Sequence, residues 1–387
     1  MPRHTWTLLD VDEDVYMDRL ALGPADVPGA PPGWAVSKRT LRGGLRDGVD
    51  LVELDNGVLR ASIVPTRGMG IWRIMAGEMF LGWRSPVRGP VHPAFVRLWE
   101  PSGIGWLDGF DELLVRCGLE SNGAPEFDAQ GRLRYPLHGK IANIPARKVE
   151  VLIDSDSGTL ATSGVVEEAR LFGNKLRMTS TVSARVGQLV LTVTDVITNP
   201  SAEPADLELL YHVNFGVPLV QPGARVVLPV ARMAPRDAVA VTNASQWDTY
   251  GPESPGTPEA VFFFELAADA GGKTLALLHN AAGDQGVSLR FNKKQLPWFT
   301  LWKNRQAAAD GYVTGLEPAI NFPNRKSFEK EKGRVAQLAP GESRTFELAI
   351  EVHPTAESVA AARDAVAALQ KPVSPRFLAH PDPEWSG

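Results

Sequence analysis

Two histidines and a glutamate, far apart in the chain, occupy surroundings that could make proton carriers of them. His138 lies in YPLHGKIANIPA (135–146), directly before Gly139, where a missing side chain permits close backbone approach; Lys140 and Asn143 add polar groups beside it. His212 lies in LELLYHVNFGVPL (207–219). Strand alternation puts Leu207, Leu209, Tyr211, Val213 and Phe215 on one face, and Glu208, Leu210, His212 and Asn214 on the other. Glu317 lies in GYVTGLEPAINFPN (311–324), between Leu316 and Pro318, where proline removes a backbone donor and pins the local geometry. A carboxylate among apolar residues is a candidate for a displaced pKa, and an imidazole titrates near neutrality, so the pair suits general acid–base work. Each also has a plain structural reading: a hydrogen-bonded loop histidine, a satisfied histidine in a polar seam, and a strand-end glutamate paired to an Arg or Lys.

Other chemistries find less support. Gly68-Met69-Gly70 lacks the third glycine and following helix of a dinucleotide fingerprint, and no Gly-Lys-Ser/Thr phosphate loop occurs. The single cysteine, Cys117, precludes a disulfide within the chain and a cysteine zinc site, and reads as a buried inert thiol. No cofactor is implied and no metal is assigned, although His138, His212 and Glu317 would make a plausible divalent set if they converged. With 40 basic against 45 acidic residues the formal charge is −5, which does not advertise nucleic acid or an anionic membrane. The start carries acids early and no apolar run approaches a membrane span, so a cytoplasmic protein is expected.

The elements that must hold these residues are mostly strands. Ser343–Val352 reads SRTFELAIEV, with Phe346, Leu348, Ile350 and Val352 on one face. Similar runs recur at 50–54, 58–64, 148–153, 165–171, 189–197, 207–215, 261–266, 274–279, 287–291 and 298–302, separated by turns such as Asn199-Pro200 and Pro340-Gly341. The 36 glycines and 31 prolines carry no period and are read as turn residues. So many short strands without long helical patterns predict a large all-β, mostly antiparallel sandwich or barrel. One helix is predicted near the end, from Thr355 as N-cap to Lys371-Pro372, with Val359, Ala362, Val366 and Leu369 at helical spacing. A shorter helix is predicted within 106–118. The segment 22–34 reads as an irregular arm and the residues from Pro372 as a loosely held tail. This divides the chain into an N-terminal arm (1–45), a main domain (46–355), and a C-terminal helix and tail (356–387).

HGKIANIPA, LLYHVNFG and GLEPAINFPN, in that order, resemble three signature segments of the aldose 1-epimerase (galactose mutarotase-like) superfamily, over about residues 45–355. VPTRGMGIWRI (64–74) is similar to that family's arginine-bearing strand exit. LLVRCGLESNGAP (113–125) points to an uncharacterised branch. The resemblance implies a β-supersandwich. It also implies His212 as general acid to the ring oxygen, Glu317 as general base to the anomeric hydroxyl, His138 as a pocket histidine and Arg67 as a sugar-binding arginine. Pro136-Leu137 replaces the Asn-Asn lead of true mutarotases, and the family's substrate-binding aspartate has no match.

On this reading the protein interconverts sugar anomers by acid–base catalysis on a monosaccharide or sugar derivative, as a monomer or homodimer. Asn214, Lys140, Glu120, Asn122 and Trp302 are further candidates for holding the sugar, while Trp83, Trp106 and Trp298 read as packing. Arg67, Lys140 and Arg116 are the cations that could serve an acidic or phosphorylated sugar. The rivals are another sugar isomerase, epimerase or lyase on the same scaffold, with or without a metal, and a non-catalytic carbohydrate-binding protein.

Overall fold

The alternating runs become strands of two large sheets in a computed structural model, which describes residues 3–387. Met1 and Pro2, the start of the 1–45 segment, lie outside the described residues. The ten-stranded sheet is built around a run of consecutive hairpins, Lys148–Asp154, Thr159–Ala169, Lys175–Arg185 and Val190–Thr198, continued by Ser343–His353, Gly286–Asn292 and Lys273–His279. The fourteen-stranded sheet has Leu114–Leu119, Ala205–Gly216, Val313–Ala319 and Trp298–Asn304 side by side at its middle. Pairing is antiparallel throughout the named ladders except where Arg376–Phe377 joins Val230–Pro235.

The two sheets bury one continuous core between them. Val182, Val193 and Leu348 of the first meet Tyr211, Val213 and Phe215 of the second. The face assignment read from alternation therefore holds: the odd-numbered residues of 207–215 point inward, and His212 goes to the outer face with Leu210. A buried ion pair crosses this core. Arg116 donates from Nε to Asp195 Oδ2 (2.5 Å) and from Nη2 to Asp195 Oδ1 (2.9 Å). Arg116 also caps Met69 O (2.8 Å), and Tyr211 donates to Asp195 Oδ2 (2.8 Å).

Three sequence expectations need correction. No helix forms within 106–118: Gly105–Gly109 is a single 3-10 turn and Leu114–Leu119 is a strand. Gly109 lies so close to the Arg67 guanidinium that a Cβ there would meet it at 2.6 Å, so the turn is pinned by tertiary contact rather than by helical propensity. The segment 22–34 is irregular, yet Val27 and Trp34 are buried in the core, and the residues before 46 supply strands to both sheets. The tail is not loose. Trp385 is only 4% exposed and packs on Trp298 and Phe322, its carbonyl accepts from Asn324 Nδ2 (2.8 Å), and Asp382 pairs with Arg232. Trp385→Ala should therefore cost about 3–5 kcal/mol, the usual range for emptying a buried tryptophan site. Urea denaturation followed by circular dichroism measures it, and an unshifted midpoint would restore the loose-tail reading.

The C-terminal helix forms as expected, over Ala356–Gln370. Thr355 accepts from the Ser358 N–H as its N-cap, and Val359, Ala362 and Val366 are buried beneath it.

Candidate active site

His212 and Glu317 are brought together by strand register alone. Val213 pairs with Leu316 and Asn214 with Gly315, so His212 and Glu317 stand opposite each other on adjacent central strands, where side chains on one face are near neighbours. His212 Nε2 lies 3.1 Å from Glu317 Oε1. Both are almost wholly buried (4% and 2% exposed). Gly315, the next residue on that face, keeps the space clear: a Cβ there would meet Glu317 Oε1 at 2.3 Å and His212 Cε1 at 3.0 Å.

The network fixes the proton on His212. Asn214 Nδ2 donates to two carbonyls, Glu112 O (3.0 Å) and His212 O (3.2 Å), which leaves Asn214 Oδ1 as the acceptor facing His212 Nδ1 at 2.6 Å. Nδ1 therefore carries hydrogen, and neutral His212 turns a lone pair on Nε2 toward Glu317. Burial, with nearby His138 adding to it, holds the His212 pKa well below the ordinary imidazole range. Burial, reinforced by Glu259, pushes Glu317 well above the ordinary carboxylate range. The favoured neutral arrangement is one proton on the carboxyl, facing the imidazole lone pair. Glu317 Oε1 is buried and has no well-directed hydrogen-bond partner. Asn214→Ala would strand the buried Nδ1–H at about 1–3 kcal/mol. It should also lower turnover more than substrate affinity, because the ring loses its set tautomer; steady-state kinetics reads that split, and unchanged turnover would contradict it.

Aromatic rings wall the pair. His212 lies 5.2 Å from Phe110, 5.4 Å from Trp302 and 5.4 Å from His138, measured between ring centroids. Trp106 packs against both Phe110 and His138 at 4.7 Å. His138 is held on its loop by Nδ1 donating to Asn122 O (2.9 Å), which leaves its Nε2 as an acceptor, and burial lowers its pKa. Trp302 donates from Nε1 to exposed Glu259 (2.6 Å), and Arg236 Nη2 holds the same carboxylate at 3.1 Å. These two charges and the Trp302 ring border the pair on the side of Ala260–Leu266.

The remaining sequence candidates lie further off. Arg67 is buried with its nitrogens engaged by Glu112 Oε1 (2.7 Å), Asn143 Oδ1 (2.5 Å) and Gly109 O (2.8 Å). It thus ties the loop of Asn143 to the segment that carries Phe110 and the Glu112 carbonyl that orients Asn214. Asn122 exchanges amide hydrogen bonds with Asn321 (2.9 and 3.2 Å), and its carbonyl orients His138. Lys140 pairs with Glu120 (2.6 Å) and Glu168 (3.4 Å) rather than with His212 or Glu317. Arg116 is in the inter-sheet core. Sequence reasoning missed Phe110, Glu259 and Arg236 and took Trp106 for packing. Phe110 and Trp106 sit in the stretch misread as helix; Glu259 and Arg236 carry no motif and matter only through strand register. Among the described residues no group of three His, Cys, Asp or Glu side chains stands at metal-binding spacing.

The all-β double sheet is the fold of the galactose mutarotase-like proteins. Residues 46–352 match the model of a domain of unknown function, DUF4432, and the chain belongs to that family. It is similar to a candidate aldose 1-epimerase from Klebsiella pneumoniae subsp. pneumoniae, at 32% identity and a TM-score of 0.95, over 98% of this chain and 99% of that one. More distant likenesses establish the fold alone. A galactose mutarotase-like protein of Clostridium acetobutylicum shares 16% identity, TM-score 0.54, covering 79% of this chain and 95% of that one. A candidate aldose 1-epimerase of Escherichia coli K12 shares 18%, TM-score 0.51, covering 79% and 99%. No curated protein matches.

Proposed function

We propose that the protein is a carbohydrate isomerase that interconverts the anomers of a monosaccharide or sugar derivative, with Glu317 and His212 as its acid–base pair. The observation that carries this reading is the 3.1 Å approach of His212 Nε2 to a carboxyl oxygen left without another partner. Hemiacetal opening acts on two oxygens of one carbon: the anomeric hydroxyl loses a proton while the ring oxygen gains one. In the Glu317 carboxylate/His212 imidazolium form, Glu317 takes the first proton and Nε2–H gives the second. The product form is carboxyl and neutral imidazole, so the pair holds one proton before and after. Rotation about C1–C2 and the reverse transfers close the ring on its other face. Water already supports mutarotation, so two placed groups at roughly 10²–10⁴-fold each are sufficient.

His138 Nε2, Trp302, Glu259 and Arg236 are positioned to orient the sugar's hydroxyls and apolar face, with Asn214, Arg67 and Asn122 holding the machinery in place. No helix among the described residues is long and apolar enough to cross a membrane, and a cytoplasmic enzyme, monomeric or homodimeric, completes the reading. Two-dimensional exchange NMR across a panel of neutral and acidic aldoses tests it. Accelerated exchange between α and β signals of at least one sugar is expected; binding without acceleration would favour a non-catalytic carbohydrate-binding protein.

A further inference from the structure

A hollow of about 640 Å³ lies against the back of the aromatic wall, within the size range of small-ligand sites at about 300–1,000 Å³. Trp72 and Trp83 give it an apolar side, and Arg84 and Arg88 stand exposed at its rim. It is separate from the His212–Glu317 pair: the Trp83 ring packs on Phe110 at 4.8 Å, and Phe110 in turn packs on His212.

Asp111, which lines the hollow, is 6% exposed. Its Oδ2 accepts from Trp72 Nε1 (2.9 Å), and its Oδ1 has no partner. A buried carboxyl oxygen left unpaired is costly, and the cost is relieved when a ligand hydroxyl supplies the missing donor. Burial and neighbouring Glu112 raise the Asp111 pKa well above its usual value, so as a neutral carboxyl it can also donate. Arg84 and Arg88 make no ion pair with any described residue, in a chain where most charges near a site are spoken for. A hollow lined by two unpaired guanidinium groups, a carboxyl short of a partner and a tryptophan wall suits a ligand with hydroxyls, an apolar face and a negative charge.

We propose that this hollow is a second binding site, for an acidic monosaccharide unit, with Asp111 taking a hydroxyl and Arg84 and Arg88 the anionic group. A carboxylate and a phosphate satisfy the guanidinium groups alike, so the experiment uses both. Isothermal calorimetry with glucuronate, glucose 6-phosphate and neutral glucose is run on Glu317→Gln protein and on the same protein carrying Arg84→Ala and Arg88→Ala. At least one anionic probe is expected to bind, and the double arginine substitution to weaken it about tenfold or more while leaving neutral glucose unchanged. Asp111→Asn, which keeps the shape, should weaken the same probe. No binding of either anionic probe, or binding that ignores the arginine substitutions, overturns the proposal. Because the arginine pair lies outside the anomerisation machinery, wild-type turnover of a neutral aldose should survive its removal, so this site and the proposed reaction can fail independently.

Discussion

Glu317→Gln should slow the approach of a fresh aldose solution to anomeric equilibrium by about 10²–10⁴-fold, while sugar binding stays within a few-fold of wild type. The amide keeps the shape of the side chain and can still donate to His212 Nε2, so packing is preserved while the proton carrier is removed. Polarimetry measures the rate and calorimetry the binding; a variant as fast as the wild type would remove Glu317 from the mechanism. Stability supplies an independent check. The folded pKa of Glu317 lies above its unfolded value of 4.5, so the folded chain keeps a proton that the unfolded chain sheds as pH rises past that value. The cost to folding therefore grows with pH until the folded pKa is passed, and Gln abolishes it. Glu317→Gln should be the more stable protein at neutral and alkaline pH, with the difference shrinking as the solution is acidified toward 4.5. Turnover has its own pH signature. The one-proton state is bounded on the acid side by a second protonation, which burial of His212 displaces below the usual 6.5, and on the alkaline side by loss of the Glu317 proton, displaced upward. A broad plateau around neutrality is expected in kcat.

Arg116→Met should destabilise the fold by about 3–5 kcal/mol, since it leaves the Asp195 carboxylate uncompensated between the sheets. Both side chains are wholly buried, so no water can replace the lost partner. The double variant Arg116→Met/Asp195→Leu should recover part of the loss, because removing both charges avoids the stranded one; the carbonyls of Gly68 and Met69 still lose their donor. Urea midpoints of the two single variants and the double variant close the cycle. Strict additivity would mean that the two residues do not act as a pair. Turnover of the folded fraction should change little, because Arg116 points away from His212 across the sheet.

Much of this was legible in the sequence because period-two alternation fixes which side of a strand a residue occupies. Alternation alone sends Tyr211 and Val213 inward and His212 outward. That His212 meets Glu317 depends on register between strands a hundred residues apart, and no local pattern encodes register; only the ordered motifs pointed there. Asn122 and Lys140 show the opposite limit. Their types suit a sugar, and in the fold partners nearby, Asn321 for one and Glu120 and Glu168 for the other, already engage their polar atoms, which no local pattern foretells. Trp385 was misjudged because a Pro-rich ending reads as unstructured unless the aromatic surface awaiting it is known.

The spacing of the His212–Glu317 pair comes from neighbouring strands in the middle of a wide sheet, whereas Trp106, Phe110 and His138 arrive on connecting loops. On the proposed function, reactivity and sugar choice are thus carried by different parts of the chain. Grafting loops from another family member should retune which sugar is accepted without resetting the proton machinery, which makes this scaffold a practical chassis for engineered anomer specificity.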